Sequence, residues 1–340
     1  MWLTYTFILF ILIAAELLYF KVAEHFKIFD KPNQRSSHST IVLRGGGVIF
    51  PLSIIVWAAY QGLHGDWIVV IDYLPFLGGL LLIAIVSLWD DIRSLPDSVR
   101  LIAQFIAMGL MFWSLGILHW NMWWIVLIAL IVFVGASNII NFMDGINGIT
   151  AGYAFSVLLP VLILNNKEED PFILNSFLGL AILGVLVFSF FNFRPLGKAR
   201  CFAGDVGSVS LAFILLFSIG KLILAKNDIT WLAFLIVYGV DGCFTILHRI
   251  MLHEHLGEAH RKHAYQLMAN ELGMNHVVVS LFYMVLQFVI SLVMVYLIPN
   301  TPLSHWIYLA AVLIVLAAAY LLFMKKYYHL HEEYLKSLAK

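Results

Sequence analysis

The chain has 340 residues, of which 62% are hydrophobic, 15% aromatic and only 12% charged, and its mean hydropathy is +0.93. Soluble domains carry about 25% charged residues, so 20 basic and 20 acidic side chains cannot cover a soluble surface of this size. An ordinary cytosolic enzyme, a secreted disulfide scaffold and a disordered chain are excluded, and the zero formal charge offers no overall field for nucleic acid.

Crossing the hydrocarbon takes about 20 apolar residues per helix. Apolar runs of that kind fall near 2–22, 45–61, 68–89, 99–118, 121–138, 151–165, 172–191, 208–225, 229–247, 277–298 and 303–324. None alternates with period 2, as strands facing lipid would. The fold expected is therefore an all-α polytopic integral membrane protein of about eleven helices, forming one domain over 1–340. Loops after odd-numbered segments hold 17 of the 20 Lys and Arg; Lys167, Lys221 and Lys226 are the other three. Positive loops stay in the cytoplasm, so the N-terminus is expected outside and the C-terminus inside. Cys201 and Cys243 lack paired spacing and read as apolar fillers. Charges inside the spans are few. Glu16 is deep, whereas Asp72, Lys221 and Asp241 are expected near helix ends.

The outward loops are short and bland, and the chemistry collects on the cytoplasmic side. In chain order, the first such loop carries Arg35, His38 and Arg44-Gly45-Gly46-Gly47. Glycines at a helix start expose N–H groups to an anion. The second begins Asp90-Asp91 and ends at Arg100; adjacent carboxylates need a proton or cation, and magnesium favours such oxygens with water and phosphates. In the third, Asn141, Asp144, Asn147 and Gly148 would share one face if helical. The fourth runs from Asn192 to Phe202 and Gly204-Asp205-Val206-Gly207-Ser208, which suits a metal–phosphate site with Asp205 on the cation and helix N–H groups near Ser208 on the anion. The fifth, near 248–276, holds His248, His253, His255, His260, His263 and His276 around Arg261 and Lys262. Those donors suit a pyrophosphate, and a metal-bound nucleotide diphosphate would use all five loops together.

Five motifs in this order, at 30–38 with 44–47, 90–91, 141–148, 204–208 and 258–266, resemble the polyprenyl-phosphate N-acetylhexosamine-1-phosphate transferase superfamily (glycosyltransferase family 4) over nearly the whole chain. The likeness is strongest to the branch that starts O-antigen and related surface glycans. Ala-His-Arg-x-His-Ala-Tyr-Gln replaces the triple histidine of the phospho-MurNAc-pentapeptide translocase, which argues against a muramyl-pentapeptide substrate. The resemblance implies transfer of a sugar-1-phosphate from a UDP-linked N-acetylated amino sugar, such as UDP-GlcNAc, to undecaprenyl phosphate at the cytoplasmic face of a bacterial inner membrane. It implies magnesium as cofactor, with manganese as a substitute, and a second copy of the chain as a candidate partner. Carried onto this sequence, Asp90, Asp91, Asp144 and His260 are the catalytic set, with Asp90 and Asp91 beside the lipid phosphate. Asp205 and Asn141 hold the metal. Arg44, Asn147, Asn192, Phe202, Gly204, Ser208, Arg261 and His263 contact substrate, with Phe202 stacked on uracil. A secondary transporter of a nucleotide sugar or glycolipid is the alternative; it would need polar groups through the bilayer and access from both faces.

Overall fold

The computed structural model describes residues 2–30, 32, 37, 40–118, 121, 123–255 and 260–338. Arg35, His38 and Glu258 lie outside the described residues. Each apolar run forms a helix: α1 (Trp2–His25), α2 (Ile49–Leu63), α4 (Leu74–Ile92), α5 (Asp97–Ser114), α6 (Trp123–Phe142), α7 (Ile149–Lys167), α8 (Asn175–Asn192), α9 (Gly204–Lys226), α10 (Ile236–Met251), α12 (His276–Tyr296) and α13 (Pro302–Leu338). The run near 68–89 differs from expectation. A short exposed helix, α3 (Trp67–Asp72), precedes α4, and Pro75 marks the new helix start, where a missing N–H costs nothing. The only named strands among the described residues, β1 (Phe29–Asp30) and β2 (Val42–Leu43), pair antiparallel beside the first motif loop.

Among the described residues, ten segments are long and apolar enough to cross a membrane. The eleventh expected crossing, α5, falls short because Asp97, Arg100 and Gln104 line one face. It nonetheless runs the length of α4. Arg100 meets Asp90 at one end, and the Ser114 hydroxyl donates to the Asp72 carbonyl at the other. Apolar side chains elsewhere face outward in number, including Leu18, Ile85, Ile128, Phe190 and Val285, as a lipid solvent permits. The chain is a multi-pass membrane protein.

Helix α9 is the central post, with 78% of its spanning window buried. It packs on α4, α6, α7 and α2. Its first turn meets the turn before α2 where Gly207 and Gly47 touch; a Cβ on Gly207 would sit 2.6 Å from the Gly47 Cα. Two glycines thus bring two motif loops together. The 37-residue helix α13 is about 55 Å long at 1.5 Å per residue, well beyond the roughly 30 Å of hydrocarbon. Its last turns dock beneath the fifth loop.

Candidate active site

Asp90 and Asp91 end α4, and Asp205 opens α9. Asp91 is wholly buried. Its Oδ1 accepts from Arg44 Nε at 2.7 Å and from the Asp205 N–H at 2.9 Å, and its Oδ2 accepts from the Val206 N–H at 2.9 Å. The anion on the α9 amides is therefore a side chain of α4, placed where the helix dipole favours it. Gly204, at φ +70, permits the approach: a Cβ there would lie 2.6 Å from Asp91 Oδ2. Asp90 accepts from the Leu95 N–H and pairs with Arg100 at 3.1 Å. Arg100 also pairs with Asp97 and lies 3.7 Å from Asp205 Oδ2, while Arg44 lies 3.8 Å from the same oxygen. Asp205 is the most open of the three, with its side chain 20% exposed against 6% for Asp90 and 0% for Asp91. The Ser208 hydroxyl lies between Asn141 Oδ1 and the Gly204 carbonyl.

Burial works against charge on Arg44, but Asp91 and then Asp205 hold the guanidinium above its ordinary value. Asp144, in the turn between α6 and α7, is pushed up to about 6 by burial, against the pull of its bond from the Thr150 hydroxyl.

A cavity of 350 Å³ opens beside Asp205. Ile83, Val86, Leu101, Val209 and Ile246 make its apolar lining, and Asp205, Arg100, Asn141 and Arg249 supply its polar groups. The hard oxygens of Asp90 and Asp205 converge on the same Arg100 nitrogen, at 3.1 and 3.7 Å. A pair of that kind needs a proton or cation between its members. It fits magnesium, which binds through one or two carboxylates and fills its shell with water and phosphate. No group of three His, Cys, Asp or Glu side chains suited to a metal occurs among the described residues, so these two carboxylates would be the acidic ligands. Asn141 faces Ser208 and is one step further off.

Several expected substrate contacts are placed elsewhere. The N–H groups of Gly46 and Gly47 donate to the carbonyls of Phe202 and Ala203, so the glycines pack two loops and do not cradle an anion. Residues 143–148 form a turn, so Asn141, Asp144 and Asn147 share no helical face. The Asn147 amide donates to the carbonyls of Arg194 and Pro195, and its own carbonyl accepts from Ser280. Asn192 accepts from the Gly148 N–H and donates to the Cys201 carbonyl. Both are buried clamps between loops. Phe202 is half-buried, and its N–H donates to the Leu43 carbonyl.

The fifth loop divides. His260 lies against Phe142, which lines the cavity, with ring centroids 6.4 Å apart. Burial, with His263 and Arg249 beside it, lowers His260 to about 3 and keeps it neutral. His263 stands 5.0 Å from His260, ring to ring. Arg261 instead turns to α13. It pairs with Glu271 at 3.4 Å and lies over the Tyr334 ring at 4.4 Å, and Glu271 also meets His331 at 3.0 Å. In this position the contacts of Arg261 among the described residues are with Glu271 and Tyr334 and not with the carboxylate centre.

Sequence reasoning passed over Arg100, Arg249 and Asp241. Arg100 had a signal, since Asp97, Arg100 and Gln104 recur at helical spacing on an otherwise apolar segment. Asp241, expected near a helix end, lies ten residues before the α10 terminus at Met251. A charge that deep calls for partners.

Residues 73–222 match the model of glycosyl transferase family 4, a stretch holding Asp90, Asp91, Asp144 and Asp205. A probable undecaprenyl-phosphate N-acetylglucosaminyl 1-phosphate transferase of Bacillus subtilis is 24% identical over 77% of this chain and 75% of that protein. Phospho-N-acetylmuramoyl-pentapeptide-transferases of Desulfotalea psychrophila and Thermotoga neapolitana are 35% and 40% identical, but over only 26% of this chain and 28% and 27% of their own lengths. Together these matches support the polyprenyl-phosphate sugar-1-phosphate transferase superfamily, as the five motifs implied.

Proposed function

We propose that the protein transfers an N-acetylated amino-sugar 1-phosphate from a UDP-sugar, UDP-GlcNAc being the first candidate, to undecaprenyl phosphate, and so starts a lipid-linked surface glycan. The observation that carries this reading is the meeting of Asp90, Asp205, Arg44 and Arg100 at the polar side of an apolar cavity between helices. Such a cavity accepts an isoprenoid tail while its charged groups receive phosphates. The Bacillus subtilis relative, whose name gives the same transfer of N-acetylglucosaminyl 1-phosphate, supports the choice of sugar. The basic asymmetry of the loops supports a cytoplasmic motif end of the bundle.

In the reaction, an oxygen of the lipid phosphate forms a bond to the sugar-bearing phosphorus, and the bridging P–O bond to UMP breaks. Both reactants are anions, so the barrier is largely electrostatic. Magnesium held by Asp90 and Asp205 would supply positive charge at the diphosphate. Arg44 and Arg100 add fixed positive charge, and Arg44 is itself oriented by Asp91. Asn141 lines the cavity, and with Asp144 three residues on it is assigned to the nucleotide. The test is UMP release by purified protein given UDP-GlcNAc, undecaprenyl phosphate and magnesium. Release strictly dependent on the lipid phosphate is expected. Equal release without it, or none with it for any UDP-amino sugar, would sink the proposal.

A further inference from the structure

Asp241 is buried in the interior of α10, and the reaction above gives it no part. Its Oδ1 accepts from His263 Nδ1 at 3.2 Å, the Ala264 N–H at 3.1 Å and the Thr245 hydroxyl at 3.2 Å. Its Oδ2 accepts from the Tyr283 hydroxyl at 2.6 Å and the Tyr265 N–H at 3.4 Å. The amides belong to the turn α11 (Ala264–Gln266), of which His263 is the cap. An anchor for that turn would need the two amides alone. The imidazole bond does something more. An ionised carboxylate only accepts, so the Nδ1–Asp241 contact is a hydrogen bond only with the proton on Nδ1, a tautomer in which the capping-box approach of the Gln266 N–H to this side chain is not a bond. The other ring nitrogen, Nε2, is then the one left to act, as in any histidine held from behind by a carboxylate. His263 is 1% exposed, and its Nε2 is buried with no hydrogen-bond partner among the described residues. Beside it stands His260, which in turn touches Phe142 at the cavity.

We infer that Asp241 is a positioning residue for the transfer: it fixes the tautomer and tilt of His263, so that Nε2 is the nitrogen offered to the sugar-diphosphate arm of the nucleotide sugar. The inference rests on the transferase reading for its substrate, but the fixing of the tautomer stands apart from it.

Two measurements test it. The first is nitrogen NMR of the whole protein in detergent, labelled at histidine, with His263 assigned by difference against His263→Gln. A proton on Nδ1 is expected in the wild type and its displacement in Asp241→Asn, whose amide can donate where the carboxylate could not. A wild-type proton on Nε2 alone, or an unchanged tautomer in Asp241→Asn, would overturn the inference. The second is a double-mutant cycle in the UMP-release assay. Asp241→Asn should lower kcat at least tenfold with KM for UDP-GlcNAc within threefold, yet cost less than twofold when added to His263→Ala. A further tenfold loss in that background would mean that Asp241 merely holds the turn, and would overturn the positioning role. Should Asp241→Asn fail to fold, the wild-type NMR result still decides the tautomer. Absence of lipid-dependent UMP release by the wild type would count against the transferase reading and the substrate half of the inference, while the NMR outcome would still judge the Asp241–His263 pair.

Discussion

The carboxylate centre and the fifth loop are both rich in charge, yet they handle it in opposite ways. At the centre, carboxylates outnumber the guanidiniums near them, and one carboxylate, Asp205, remains partly open beside a cavity. In the fifth loop the charges are paired, Lys262 and Arg249 with Glu254 and Arg261 with Glu271 inside it, and His331 of α13 with Glu271 and His263 with Asp241 of α10 across its borders. The first arrangement leaves negative charge for something to neutralise. The second fixes a shape. Charged residues in a motif are therefore of two kinds, and composition alone does not separate them.

The same division runs inside the centre, and the largest expected effect tests it. Asp91 is bonded to Arg44 and to two α9 amides. Asp91→Ala would strip the half-buried Arg44 guanidinium of its closest partner and leave the two α9 N–H groups unpaired, a loss of about 1–3 kcal/mol for each buried donor left unsatisfied. Thermal unfolding in detergent should show a large drop, with little folded protein recovered. If Asp91→Ala were as stable as the wild type, the distinction between structural and open carboxylates would fail. Asp205→Asn should do the reverse. The fold should survive, and turnover should fall by about 100-fold or more, as expected when a metal clamp on phosphoryl transfer is lost. Near-normal UMP release at ordinary magnesium would remove Asp205 from the metal site.

Asp144 sits between the two kinds. Burial raises it from 3.8 to about 6, so the folded chain holds its proton more tightly than the unfolded chain does. The stability this gives is complete below about pH 4 and is lost as pH rises through 6. Asp144→Asn, neutral throughout, should gain on the wild type across that window and keep a constant lead above it. Melting curves from pH 4 to 8 check this, and a lead that shrinks with rising pH would contradict the burial argument. In the fifth loop, Arg261→Lys keeps its charge near Glu271 but loses the planar contact with Tyr334. It should cost about 1 kcal/mol of stability and less than fivefold in turnover. A loss approaching that of Asp205→Asn would return Arg261 to the substrate. Smallest of all, His253→Ala and His255→Ala should each change turnover by less than twofold in the same assay.

The helices were legible because lipid as solvent makes each span a long apolar run. The break between α3 and α4 was hidden, since Trp67–Asp72 is as apolar as the start of α4; Pro75 was the available signal. The chemistry-bearing residue types at 90–91, 204–208 and 258–266 were legible too, and the first two sets do meet. Their partners were not. That the α9 amides would be taken by Asp91, 114 residues earlier, leaves no mark in spacing. The loop contacts of Asn147 and Asn192 were hidden for the same reason: an amide clamping backbone carbonyls looks, in sequence, like an amide awaiting a ligand. Asp241 was passed over because its depth in α10 depends on where the preceding turn Ile229–Leu235 ends, which composition does not reveal.

Helix α13 is pinned near both ends. His305, at its start, meets Asp228 at 2.6 Å, and His331, 26 residues on, meets Glu271 at 3.0 Å. The two pins are about 39 Å apart along one unbroken helix. A rod fastened at both surfaces acts as a ruler: the fifth loop sits at a height set by the opposite face of the protein. A bilayer thinner than the rod's apolar stretch favours tilt, and a tilt would carry Glu271, and the loop bonded to it, with the rod. Membrane thickness would then reach the histidine loop through the helix alone.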